Sequence, residues 1–120
     1  MAEKILQVVG RLVVPVDEFE RQNALEGAHF FAGLPGLRWK IWIIDRERAE
    51  VGGIYLFADE ATFNDYVNGP IMADMRQFPL WTDVRVTSFD YMPEHSAVTR
   101  APVGDRADDG APLTFDRMAQ

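Results

Sequence analysis

LRWKIWIIDRERAEVGGIYLFADEATFNDYV, residues Leu37 to Val67, alternates, turns, alternates again and then changes period. In the first run Leu37, Trp39, Ile41 and Ile43 fall on one side and Arg38, Lys40, Trp42 and Ile44 on the other. That period of two is the mark of a strand. Arg46 to Glu50 form a charged turn, and Val51 to Phe57 return as a second strand. Gly52-Gly53 inside it signals a bulge or the close approach of another group. From Asp59 the pattern becomes helical and carries Phe63, Tyr66 and Val67.

Upstream, Lys4 to Val14 alternates as a strand, with Leu6, Val8, Leu12 and Val14 on one face and Ile5, Gln7, Val9, Arg11 and Val13 on the other. Both faces are largely apolar, as in a strand covered on each side. Pro15 ends it, and Asp17 and Glu18 sit where a helix start favours negative charge. From Val16 a helical stripe runs through Phe19, Phe30 and Leu34, with Phe31 at its margin and Asn23 and Gly27 on it. Gly33-Leu34-Pro35-Gly36 terminates that helix.

Downstream, Gly69-Pro70 interrupts the second helix, and Pro70 suits the first position of a short one, Ile71 to Gln77. Pro79 closes it, and Thr82 to Met92 form a fourth strand. After Pro93 the chain is rich in Pro, Gly, Ala and Asp, the composition of an extended arm and then a flexible tail.

The order βαββαβ predicts an α+β, ferredoxin-like domain over residues 1–95, followed by an arm and tail over 96–120. Four antiparallel strands would carry both helices on one face. The other face, with Val9, Val13, Trp42 and Ile44, is too apolar to meet water. A second copy packed sheet to sheet would cover it, so a homodimer is expected.

The composition of these 120 residues removes several function classes. A net charge of -7 argues against nucleic acid, whose phosphates need clustered Lys and Arg. No apolar run is long enough to span a membrane. With no cysteine there is no disulfide or thiolate metal chemistry. The start, MAEKILQ, lacks a signal-peptide layout, so a cytoplasmic protein is expected. No Gly-rich phosphate loop follows the first strand, and Ser88 and Ser96 have no histidine and acid at triad spacing.

Pro35-Gly36-Leu37-Arg38-Trp39-Lys40-Ile41-Trp42, followed by Val51-Gly52-Gly53-Ile54-Tyr55-Leu56-Phe57-Ala58-Asp59-Glu60, resembles the YdhR-type monooxygenases. The resemblance implies a dimeric α/β barrel and a monooxygenase activity. A shorter similarity, in Phe78-Pro79-Leu80-Trp81, Asp83-Val84-Arg85-Val86 and Pro93-Glu94-His95-Ser96, points to the end of muconolactone isomerases, which share that barrel. Haem-degrading members of the superfamily carry a histidine on a helix where this chain has Met72 and Met75. That departure argues against haem degradation.

Several side chains are candidates for a substrate pocket. Trp39 could wall a flat aromatic substrate, though core and interface packing is the first explanation of both strand tryptophans. Tyr55 and Tyr66 could each donate a hydrogen bond into a cavity, with Tyr66 favoured for its helix. Asn23 is polar on an apolar stripe, so it either bonds backbone or presents its amide to a ligand. Met72, Met75, Phe78 and Trp81 could form an adaptable wall or plain core. His95, at the start of the arm, is a catalytic candidate beside Tyr66 and Asn23, whereas His29 points away from the stripe. Arg85 could supply positive charge. No histidine or carboxylate spacing suggests a metal.

The expected function is a cofactor-independent monooxygenase acting on a small aromatic, phenolic or quinol-like compound. Such a substrate, once deprotonated, can itself reduce dioxygen, leaving the protein to supply a dry cavity and a few polar groups. The alternatives are a lactone isomerase or cyclase using His95, Asp90 or Glu94 as base, or a non-catalytic small-molecule binding protein.

Overall fold

The computed structural model describes residues 2–22 and 25–106. Four strands, β1 (Lys4–Leu12), β2 (Leu37–Asp45), β3 (Glu50–Phe57) and β4 (Trp81–Phe89), form one sheet in the order β2-β3-β1-β4. All three pairings are antiparallel. Between β1 and β2 lie α1 (Val16–Gln22) and α2 (Leu25–Ala32); between β3 and β4 lie α3 (Glu60–Val67) and α4 (Pro70–Arg76). This is the α+β, ferredoxin-like arrangement that the sequence predicts.

Local chemistry explains the joints. The Asp45 carboxylate accepts from the backbone N–H of Glu47 and Arg48 and so shapes the β2–β3 turn. Asp59 caps α3, its side chain accepting from Thr62 N at 2.8 Å. Pro70 occupies the first turn of α4, where its missing N–H costs nothing. Gly36, with φ of 79°, adopts the left-handed turn that delivers the chain into β2.

The core lies between the sheet and the helices. Leu6 and Val8 of β1, Tyr55 and Phe57 of β3, Phe63 and Tyr66 of α3 and Met72 of α4 pack as one buried cluster. Each such side chain contributes about 1.5–3 kcal/mol by leaving water.

Strand β2 departs from plain alternation. Its register against β3 shifts between Leu37, opposite Phe57, and Trp39, opposite Leu56, so Arg38 is an extra residue. Leu37 packs on the helix side of the sheet. Beyond the bulge Lys40 pairs with Tyr55 and Trp42 with Gly53, and these share the helix side; Trp39 and Ile41 pair with Leu56 and Ile54 on the opposite face. The expectation that Trp39 faces the helices and Trp42 the bare face is thus reversed, because one extra residue inverts every side chain after it. Gly52-Gly53 carries no bulge of its own; the glycines accommodate close approach, Gly52 to the Val8 backbone and Gly53 to the Lys40 side chain.

The stripe predicted across Phe19, Phe30 and Leu34 also changes. Phe30 is exposed, and Phe31 turns inward.

The segment after β4 is not extended. Pro93–Val98 form α5, with Pro93 in its first turn, and Gly104–Arg106 form a 3-10 turn. This segment returns to its own chain. The Tyr91 hydroxyl donates to Glu3 Oε1, Gly104 N donates to the same oxygen at 2.7 Å, and Arg38 Nε lies 3.0 Å from Glu3 Oε2. Trp39 Nε1 donates to Pro102 O at 2.7 Å, and Leu56 beside Trp39 is fully buried. Residues 107–120, where the flexible tail was expected, lie outside the described residues.

Candidate active site

A cavity of about 300 Å³ opens between the sheet and the helices. Its floor is β1 and β3 at Val8, Gly53 and Tyr55, its sides are Phe31 of α2, Trp42 of β2 and Trp81 of β4, and Met75, Phe78 and Asp74 close the α4 end. The walls are mainly carbon. Phe31 meets Trp42 edge to face at 5.4 Å and contacts Tyr55 and Tyr66, each at 6.2 Å between ring centroids. This arrangement suits aromatic quadrupoles.

Lys40 enters this cavity from β2. Its Nζ lies 3.7 Å from the Phe31 ring centroid, 3.5 Å from that of Trp42 and 4.6 Å from that of Tyr55. Among the described residues it makes no hydrogen bond or ion pair. Loss of water pushes its pKa down to about 7. The ring faces act in the other direction by favouring the ammonium. The side chain reaches this place because position 53 has none: a Cβ built on Gly53 would stand 2.5 Å from Lys40 Cε.

The two tyrosines form a relay. Tyr55 Oη and Tyr66 Oη are 3.0 Å apart, and the Tyr66 hydroxyl donates to Met75 Sδ at 3.2 Å. With Tyr66 so committed, Tyr55 donates to Tyr66 and keeps only lone pairs for a ligand. Burial pushes Tyr66 up to about 12 and raises Tyr55 further, so both stay protonated near neutral pH.

The structure divides the candidates named from sequence. Tyr55, Met75, Phe78 and Trp81 line the cavity. Trp81 is fixed there by its Nε1, which donates to Met75 O. Tyr66 lines a smaller neighbouring space of about 190 Å³ with Phe57 and Ile71, and touches the main site through Tyr55. Met72 is fully buried in the core, not in the cavity wall. Trp39 stands on the far face because of the bulge. His95 is exposed on α5, and Arg85, also exposed, pairs with Glu50 at 2.8 Å. Asn23 lies outside the described residues. Lys40 and Trp42 were missed; the signal was a long cation between two tryptophans, opposite a glycine pair that leaves space. Among the described residues no group of three or more His, Asp or Glu side chains is placed to hold a metal ion, and no helix is long and apolar enough to cross a membrane.

Comparison with known proteins adds the lineage. No curated protein matches the sequence. Among solved structures, SnoaB, a cofactor-independent oxygenase from Streptomyces nogalater, superposes with a TM-score of 0.60 at 19% identity, covering 77% of this chain and 95% of its own. A monooxygenase from the gene ActVA-Orf6 of Streptomyces coelicolor, in complex with Nanaomycin D, gives 0.58 at 11% identity, covering 76% and 88%. The heme-degrader MhuD from Mycobacterium tuberculosis gives 0.57 at 14%, covering 74% and 95%. At such identities these likenesses speak for the fold. The model of the family described as "Putative mono-oxygenase ydhR" matches residues 5–102, and the chain belongs to that mono-oxygenase family.

Proposed function

We propose that this protein is a cofactor-independent monooxygenase that oxidises a small phenolic or quinol-like aromatic with dioxygen. The observation that carries this reading is the ring-lined cavity beneath Phe31, Trp42 and Trp81, which at about 300 Å³ suits a compact, flat molecule. An electron-rich ring held there out of water can give an electron to dioxygen once it has lost a proton. Fixed protein dipoles and charges then replace solvent around the anion. The family membership and the likeness to SnoaB support the oxygenase chemistry. We place the protein in the cytoplasm.

The test is oxygen uptake by purified protein offered simple phenols, quinols and anthrones, with metal chelator present. Uptake that follows substrate concentration and yields an oxygenated product supports the reading. Binding of such rings without any uptake rejects it and leaves a binding protein. Turnover of an unsaturated lactone without oxygen would instead favour the isomerase.

The working unit in this proposal is a homodimer joined through the helix-free sheet face. Ile41 is 50% and Phe89 47% exposed there, beside half-buried Val9 and Ile54. Such a run of apolar surface is uncommon on a monomer. Light scattering at micromolar concentration should give twice the chain mass; a single chain mass would reject the dimer.

A further inference from the structure

Oxidation of a phenol or quinol in this cavity needs a group that takes the proton from the substrate. Tyr55 and Tyr66 are held protonated and are committed to each other. His95 is exposed on α5 and is not among the residues that line the cavity. Asp74 borders the cavity from α4 but is solvent-exposed and negatively charged, so it repels an anion formed inside. Lys40 differs from all of these. Its Nζ is inside, faces Phe31, Trp42 and Tyr55, and has no anionic partner among the described residues.

We propose that Lys40 is both the base and the counter-ion of this site, taking the proton of a ring hydroxyl or enol and holding the resulting anion beside its ammonium. The step balances as a proton transfer: the substrate O–H bond breaks, an N–H bond forms at Nζ, and the oxygen keeps the electron pair. The ligand class follows from it. The cavity takes compounds that carry an acidic hydroxyl on a flat unsaturated ring, and it discriminates against their O-methyl ethers. An unpaired amine in an apolar place is unstable as a cation when empty, and regains full electrostatic compensation when an oxyanion arrives. The lowered basicity of the empty site agrees with this, since the amine is then partly free to accept a proton near neutral pH. The ring faces hold Nζ in place for the incoming hydroxyl.

The inference rests on the oxygenase reading for its purpose but not for its test. The probes are 4-nitrophenol, whose visible absorbance reports its ionised form, and 4-nitroanisole, the same shape without the proton. Binding is followed by quenching of tryptophan fluorescence, since Trp42 and Trp81 line the cavity. Wild-type protein should bind the phenol about tenfold more tightly than the ether, as one charge-assisted hydrogen bond would provide. The bound probe should show the phenolate band at a pH where the free probe is mostly protonated. Lys40→Met should abolish both the preference and the band. Lys40→Arg, a permanent cation, should keep the band. Equal affinity of wild type for phenol and ether, or a phenolate band that survives in Lys40→Met, overturns the proposal. Phenolate capture without oxygen uptake by any phenol would keep Lys40 as base and sink the oxygenase reading. Oxygen uptake undiminished in Lys40→Met would do the reverse.

Discussion

An alanine at position 53 would set its Cβ against the Lys40 stem and 3.3 Å from the Tyr55 ring. The lysine would have to swing out of its aromatic surround. Gly53→Ala should therefore weaken binding of flat phenols and lower stability by about 1–3 kcal/mol, the usual cost of overpacking; thermal melts with and without 4-nitrophenol would measure both. The tyrosine pair supplies a sharper contrast. Tyr55→Phe removes a donor but leaves the Tyr66 hydroxyl bonded to Met75, whereas Tyr66→Phe leaves the buried Tyr55 donor without its acceptor. Urea denaturation should show a loss of about 1 kcal/mol for Tyr55→Phe and up to about 3 kcal/mol for Tyr66→Phe. A larger loss for Tyr55→Phe would mean that the relay runs the other way. Such roles are hard to see in a sequence: a lysine on a half-apolar strand looks like a solvated charge until the residue opposite it is known to be glycine.

Elements were more legible than single side chains. The β2–β3 hairpin, the α3 start at Asp59 and the short helix opened by Pro70 follow from alternation, capping and proline chemistry, and the structure keeps them within a residue or so. The failures were places where distant contacts decide. No local signal announces the extra residue at Arg38, whose side chain lies beside Glu3, distant in sequence but adjacent across the sheet. The Pro- and Ala-rich composition after Met92 suggested an extended arm, but Pro93 serves as a helix start and the segment docks on Trp39. Truncation after Met92 should accordingly strip the Trp39 indole N–H of its Pro102 acceptor, costing about 1 kcal/mol. If the segment serves its own sheet, the drop in melting temperature will be the same at all protein concentrations. A drop that grows on dilution would mean that it braces a second copy.

The molecule as a whole should feel the cavity amine in its pH dependence. A lysine that titrates near 10.5 when unfolded and about 7 when folded leaves the unfolded chain binding more protons between those values. Stability then rises with pH across that window, and the benefit present above 10.5 is lost progressively as pH falls to 7. Melting curves from pH 6 to 10 should show wild type gaining on Lys40→Met as pH increases; parallel curves would mean that the amine keeps its water. The same architecture puts unequal demands on the two sides of one sheet, a cavity on one and an apolar surface on the other, and β2 has to serve both. Its bulge acts like a shifted reading frame: everything after Arg38 is decoded onto the opposite face. Removing Arg38 would close the frame without moving any later residue to the wrong side, at the cost of the Glu3 contact. Removing one residue further along, between Trp39 and Ile44, would scramble the message, sending isoleucine into the cavity and the amine out of it. In that strand, indels rather than substitutions are the changes to which the site is most vulnerable.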